Sequence, residues 1–543
     1  MKKCLLVLYL LSFSHFVFAQ EDAWVYFKDK QNVSESINNP ISILTQKAID
    51  RKSRFNVAID ARDVPVNENY ISQIKSMAGV TVLAKSKWFN AIHVRGDIET
   101  ISALNNIIFV DRIDFADKQL NNTSTGKISK AKIKNNKTNT TVNFNYGNAL
   151  NQIEMFNGHK LHEQGFTGAG LTIAVLDAGF PNVNTMLAFS RLRNSGRLLE
   201  GYDFVNRDND VYTNTLSNHG TLVLSDLSGF VENQFVGTAP DASYYLFITE
   251  DDADENPVEE SYWVEAAERA DSLGVDLINT SLGYKTYAPN FDRYSYTDAD
   301  LDGKTAYITK GANIAVQKGM FLVVSAGNSG NSGVGAPADS ASVLSVGAVN
   351  ASGNYATFSS IGSAFQPSQK PDVVAQGQAS YVITENDEIS TANGTSFSAP
   401  ILAGGVACLW QALPNKTNLE LLEIIRSSGS LFTTPNNQLG FGVPDLAMAL
   451  SGTLANNHMD ANTMSVSIFP NPSNAFTTIK FTGFNTEKIA LTISFVDVLG
   501  KRVLVLKGDN TQNNIDVSAL SPGVYFVKIE AKGIMETLRF LKL

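Results

Sequence analysis

The sequence predicts an α/β protein: a parallel sheet with helices on both faces, a small α+β unit before it and an all-β sandwich after it. Three observations carry this. From 151 to 452, continuous apolar runs alternate with helical patterns, as expected of parallel strands buried on both faces. Residues 20–116 alternate strands and helices on a smaller scale, and residues 467–543 read as short strands separated by turns.

In chain order, Lys2 and Lys3 precede an apolar run from Leu5 to Phe18, and Val17 and Ala19 occupy the small-residue positions of a cleavage site ahead of Gln20. This is the layout of a secretory signal peptide over 1–19. The run is shorter than the ~20 residues that span a bilayer. Next, "AWVYFKD" reads as a strand, "ISILTQKAIDRKSRF" and "NYISQIKSMAG" as helices, and "VTVLAKS" and "WFNAIHVRG" as strands. "IETISALNNI" returns to helix and "IFVDRID" to strand. A ferredoxin-like sheet accommodates that order. Lys118 to Thr141 then holds six lysines and no acid. Such a stretch buries little apolar surface, so 117–150 is expected to be a flexible linker open to proteases.

Within 151–452 the strand-like runs are "LTIAVLDAG", "SYYLFI", "VDLINTSLG", "MFLVVSAGN" and "SVLSVGAVN", with helices such as "SYWVEAAERADSL" and "GANIAVQKG" between them. In such sheets the reactive groups sit at the carboxyl ends of the strands. A polar joint, 453–466, leads to the β-rich tail.

The length of 543 residues implies several domains, and the net charge of −10 argues against a nucleic-acid partner. Cys4 leaves with the signal, so Cys408 remains alone and no internal disulfide is available to the mature chain. Cys408 lies in the apolar run "ILAGGVACLW" and reads as packing.

Three residues sit where the sheet argument points. Asp177 ends the first long strand, His219 opens a helix with Asn218 as its expected cap, and Ser396 opens the helix of "GTSFSAP". Singly they could be a strand-end cap, a surface histidine and a helix cap. Together they offer a nucleophile, a base and an acid that orients the base. Asn328, in "VVSAGNSG", can donate to an oxyanion beside the backbone N–H of Ser396.

With these residues in place, the central region resembles the subtilisin-like serine peptidases, the subtilases. "AVLDAG", "HGTLV", "SAGNSG" and "NGTSFSAP" are similar to that family's Asp, His, oxyanion-Asn and Ser boxes, in the same chain order. The resemblance implies catalytic Asp177, His219 and Ser396, an oxyanion donor in Asn328, and substrate-pocket walls at Ser281, Leu282, Gly283 and Gly335. A glycine at the pocket floor with no acid beside it implies preference for large apolar residues before the scissile bond. Two positions depart from the family pattern. Leu222 replaces a histidine, and Ala178 replaces a Thr or Ser whose hydroxyl would lie near Asp177.

The flanks carry resemblances of their own. Residues 20–116 resemble a subtilase propeptide, an intramolecular chaperone and inhibitor. Residues 467–543 resemble the C-terminal sorting domains of the type IX secretion system. The implied protein is an exported serine endopeptidase, at the cell surface or in the medium, acting on protein or peptide substrates. Its tail would meet the outer-membrane secretion machinery. A monomer is expected, without cofactor. "DADLDG", with Asp298, Asp300 and Asp302, has the look of a calcium loop, but Thr309 stands where an EF-hand needs Glu. The alternative function is a catalytically silent surface-binding protein on the same fold. A lipase-type hydrolase lacks its Gly-x-Ser-x-Gly elbow.

Overall fold

The computed structural model describes residues 20–121, 144–213, 217–251, 253–457, 465–482, 490–497, 501–509, 513–531 and 534–542. The expected signal peptide, 1–19, and residues 122–143 of the basic linker lie outside them. The chain divides into two compact units, residues 1–450 and 451–543.

The first unit begins with β1 (Glu21–Phe27), α1 (Val33–Asn38), α2 (Gln46–Arg54), α3 (Glu68–Lys75), β2 (Val80–Ser86), β3 (Ala91–Gly96), α4 (Ile98–Ala103) and β4 (Val110–Phe115). They form an antiparallel sheet of order β2-β3-β1-β4, the ferredoxin-like arrangement. Nearly all of β1 is buried because its two faces have different partners. Ala23, Val25 and Phe27 point into the small unit's own core with Ile71, Ile74 and Ile101. Trp24 and Tyr26 point the other way and join the core of the following domain. The Trp24 ring stacks on Tyr307 at 4.3 Å, and its indole N–H donates to Ser261 at 2.9 Å. Residues 118–121, at the start of the expected linker, are folded back: the Asn121 side chain closes a pair of hydrogen bonds with the Phe115 backbone. At the linker's other end, Tyr146 and Ala149 are core residues.

The larger domain continues with α5 (Leu150–Glu154), α6 (His159–Glu163), β5 (Thr172–Asp177), α7 (Ser190–Asn194), β6 (Leu198–Asp203), α8 (His219–Ser228), β7 (Phe230–Val231), β8 (Phe235–Val236), β9 (Ser243–Ile248), α9 (Val258–Leu273) and β10 (Leu277–Thr280). Then follow α10 (Tyr307–Gln317), β11 (Phe321–Ser325), β12 (Leu344–Val349), β13 (Val373–Gln376), β14 (Ser380–Ile383), β15 (Ile389–Ala392), α11 (Thr395–Ala412), α12 (Asn418–Ser427) and α13 (Leu446–Asn457). The main sheet has order β13-β12-β11-β10-β5-β9-β6, and every pairing in it is parallel. The chain leaves β5 toward β6 and β9 on one side, then crosses to β10 on the other. The β5/β10 junction is therefore the switch point where a crevice opens at the carboxyl ends. Helix α11 is apolar all round and buried throughout except at Gln411, as a helix must be that is covered on every side.

The second unit contains β16 (Ser465–Phe469), β17 (Phe476–Thr482), β18 (Ala490–Asp497), β19 (Arg502–Asp509), β20 (Asn513–Asp516), β21 (Gly523–Ala531) and β22 (Ile534–Lys542). They make a three-stranded sheet, β16-β17-β20, and a four-stranded sheet, β19-β18-β21-β22, both antiparallel. Ile479 and Ile515 of the first meet Ile493, Phe495, Val527 and Phe540 of the second in one core, which is the predicted sandwich. No helix among the described residues is long and apolar enough to cross a membrane.

Candidate active site

Asp177 is the last residue of β5 and His219 the first of α8. Sequence distance is bridged by the loop after β5, where Pro181 O accepts from Thr221 Oγ1 at 2.9 Å. This fixes the first turn of α8 above the strand end. His219 Nδ1 then lies 2.7 Å from Asp177 Oδ1. The same oxygen accepts the Ala178 N–H at 2.8 Å. Asp177 Oδ2 is buried and has no hydrogen-bond partner among the described residues. With alanine at 178, no side-chain hydroxyl is present there to serve it. The expected cap is corrected: the Asn218 side chain makes no cap bond and donates instead to Glu385 Oε2 at 2.7 Å. Ser217 Oγ accepts the His219 N–H at 3.2 Å.

Ser396 is the second residue of α11, after Gly394 at φ +154°, a conformation L side chains rarely adopt. Four residues on stands Pro400. Having no N–H, it cannot make the helical bond to Ser396 O. A buried carbonyl needs a donor, and Ser281 Oγ supplies it at 2.9 Å. In return Ser396 Oγ donates to Ser281 O at 3.2 Å. This reciprocal pair locks the start of α11 onto the residue that follows β10. The residue after Ser396, Phe397, has its ring 5.9 Å from that of His219, so helix α11 brings the serine to the histidine's side of the cleft.

Asn328 follows β11. Its Oδ1 accepts both the Thr395 N–H at 2.9 Å and the Thr395 hydroxyl at 3.0 Å. It thereby caps α11 from a distant part of the chain. Because both partners are donors, the amide's orientation is fixed and Nδ2 is the end left to the cleft. The Ser396 N–H lies in the first helical turn, where no intrahelical acceptor exists.

A cavity of about 460 Å³ opens beside these groups. Ser281, Leu282, Gly283 and Gly335 line it, together with Asn328 and Ser396. Backbone bonds between Tyr284 and Ala336, at 2.8 and 2.9 Å, stitch its two walls together. The expectation of a lining without acid does not hold: Glu255 is part of it, as is Lys285. The loop after β9 carries Glu255 there. Glu255 belongs to a group of three carboxylates, with Glu250 and Glu259, whose oxygens lie within 4.8 Å of one another. Burial, with Glu255 and then Asp177 as charged neighbours, pushes the Glu250 carboxyl up. Burial and the other two acids do the same to Glu259. By contrast, Asp298, Asp300 and Asp302 do not converge. Asp298 pairs with Lys285, Asp300 accepts from Thr297 and Lys118, and Asp302 accepts from the Lys304 and Thr305 backbone.

Two other buried titratable groups serve packing. His162 is held by Tyr146 and Thr238 O, and burial pushes it down to about 4. Cys408 is buried against the same carbonyl, and burial raises its thiol well above the usual range.

Comparison with known proteins assigns all three parts of the chain. A peptidase S8 propeptide domain of Bacteroidota matches residues 22–139, the subtilase family matches 168–442, and a secretion system C-terminal sorting domain matches 467–542. Subtilisin NAT of Bacillus subtilis subsp. natto is 30% identical over 283 residues, 51% of this chain and 65% of that protein. Subtilisin of Bacillus pumilus is 29% identical over 283 residues, 51% of this chain and 90% of that protein. Among solved structures, MycP1 from the ESX-1 type VII secretion system aligns with a TM-score of 0.43 and 24% identity, over 57% of this chain and 89% of that one. The chain belongs to the subtilase family, with a propeptide domain before the catalytic domain and a secretion sorting domain behind it.

Proposed function

We propose that this protein is an exported serine endopeptidase in which Ser396 is the nucleophile, His219 the general base and Asp177 the group that orients it. The observation that carries the reading is the 2.7 Å contact of His219 Nδ1 with Asp177 at the strand end facing α11. That contact fixes the tautomer with its proton on Nδ1 and leaves Nε2 as the basic atom. The Ser396 hydroxyl exchanges its Ser281 acceptor for Nε2 as the substrate enters. It loses its proton there and attacks the scissile carbonyl. The oxyanion that forms is met by Asn328 Nδ2 and the Ser396 N–H, donors already aimed before the charge develops. Collapse gives an acyl-enzyme, and His219 protonates the leaving amine. Water, deprotonated by His219, releases the second product. The reaction so written uses no cofactor.

In this reading Ser281, Leu282, Gly283 and Gly335 receive the side chain before the scissile bond. Glu255 in the lining widens the expected preference from apolar residues alone to substrates that also bring Lys or Arg near that point. The sorting domain directs the chain to the cell surface or the medium. The propeptide keeps the enzyme silent until the segment between 116 and 151 is cut. The test is casein hydrolysis by purified Ser396→Ala beside wild type. Loss of activity with an unchanged thermal melt supports the triad; hydrolysis near the wild-type rate refutes it.

A further inference from the structure

The prodomain touches the catalytic domain through its sheet, where Trp24, Tyr26 and Trp88 join the α9–α10 layer. It also reaches around that layer with a separate segment. Between β1 and β2 the chain makes an excursion containing α2, and this helix lies at the far end of α9. Gly274, which ends α9 at φ +80°, is approached so closely that a Cβ there would stand 2.6 Å from Ala48 N. Thr45 N–H donates to Ser272 O at 2.9 Å. Lys47 bonds Thr172 Oγ1 and lies 3.5 Å from Asp276. Arg51 bonds Val275 O and Asp271. These residues are the first of β5, the last turn of α9 and the turn leading into β10. They lie at the amino end of the sheet, about 17 Å along β5 from Asp177 by strand geometry.

At the centre of this contact is a sealed ion network. Lys52 lies 2.7 Å from Asp271 and 3.1 Å from Asp63, and Lys318 lies 2.7 Å from Asp63 and 3.1 Å from Asp60. Arg51, Lys52, Asp63, Asp271 and Lys318 are each at most 2% exposed. Asp271 and Lys318 come from the catalytic domain, the others from the prodomain. Three cations, Arg51, Lys52 and Lys318, face three carboxylates, Asp60, Asp63 and Asp271, and Arg62 joins at the half-exposed edge through Asp60 at 2.6 Å. Breaking one member strands a buried charge and is costly, whereas separating the two halves returns every charge to water together. A surface of this kind is specific, and it releases as a unit.

We propose that residues 45–63 are a second docking element, independent of the cleft, that clamps the amino ends of β5 and β10 and sets how long the prodomain stays on the enzyme after the linker is cut. This rests on the reading of residues 20–116 as an inhibitory prodomain. The partner of the surface around Asp271, Asp276 and Lys318 is therefore a basic helix with Lys47, Arg51 and Lys52 on one face.

The experiment uses the full chain carrying Ser396→Ala, with a specific protease site placed in the lysine-rich stretch 127–137. After the cut, dissociation of the prodomain is followed by gel filtration over time. The wild-type clamp keeps the pieces together, and Arg51→Met with Lys52→Met makes them part about a hundredfold faster, in the range for truncating one side of a buried charge pair. Equal rates overturn the proposal, as does immediate dissociation of the wild-type pair. Hydrogen exchange on the cut wild-type complex asks the same question without a substitution. Amides of α2 and of the 271–276 turn stay protected while the complex lasts. Free exchange of α2 in the intact complex contradicts the clamp. Full peptidase activity in an uncut chain with Ser396 intact would instead refute the inhibitory reading, and leaves these two results interpretable.

Discussion

At its carboxyl end β5 delivers Asp177 to a cleft held by a few aimed hydrogen bonds, one carboxylate oxygen without a partner among the described residues. At its amino end the same strand meets a buried ion network that the prodomain completes. The first end places single atoms: Ser281 and Ser396 exchange two bonds, and Asn328 spends its oxygen on Thr395 so that its nitrogen faces the substrate. The second end works by matched charge over a surface. Catalysis needs donors fixed before charge appears, while an inhibitor that must later leave is better held by groups that water will accept again.

Three perturbations sharpen this contrast. The largest effect belongs to the cleft. Asn328→Leu removes an oxyanion donor and the acceptor for Thr395, and should lower kcat by about 10²–10³ with little change in KM, a range established for a member of this same family. A change confined to KM would assign Asn328 to substrate binding.

The next concerns the prodomain face. Burial pushes the Glu268 carboxyl up to about 7, against the opposing charge of Lys87 and hydrogen bonds from Ser86 and the Lys87 and Trp88 backbone. Lys30 and Tyr307 are its other titratable neighbours. Once the prodomain has gone, this side chain returns to an ordinary carboxyl in water. The docked state therefore has the higher pKa. Its contribution is fully present below the free value of 4.5 and is lost as pH rises through about 7. Prodomain affinity should weaken through this window by up to about tenfold per pH unit, and Glu268→Gln should flatten that dependence. Titrating the cut complex by calorimetry at pH 5, 6 and 7 checks the slope.

The smallest effect is expected at Ala178. A serine there offers a hydroxyl to Asp177 Oδ2, worth about 1 kcal/mol if the bond forms. Ala178→Ser should raise the melting temperature slightly and kcat/KM by no more than a few-fold. A fall in both would mean that the oxygen is better left as it is.

Much of the cleft was legible in the sequence because its parts sit at element ends. Asp177, His219, Ser396 and Asn328 each follow or open a strongly apolar run, and the fold brings such ends together. Ser281, Leu282, Gly283 and Gly335 were implied by the resemblance to subtilases rather than by this logic, and they line one cavity. What escaped depends on partners far apart in sequence. Asn218 looks like a cap, but its amide finds Glu385, 167 residues on. Pro400 seemed only part of a box until Ser281, 115 residues before Ser396, was seen to replace its missing donor. Arg51 and Lys52 lie in a stretch read only as a helix, and nothing in it announced that Asp271 and Asp63 bury them. Charged residues carry no periodic signal that separates a wet face from a sealed ion pair.

The central claim is that Ser396 is activated by the His219–Asp177 pair. Mass spectrometry of the linker-cut enzyme after treatment with a fluorophosphonate tests it most directly. One adduct per chain on the peptide containing Ser396, lost in Ser396→Ala and greatly slowed in His219→Ala, is the predicted result. Peptide hydrolysis that persists with Ser396 unlabelled, or an adduct on another residue, would contradict it.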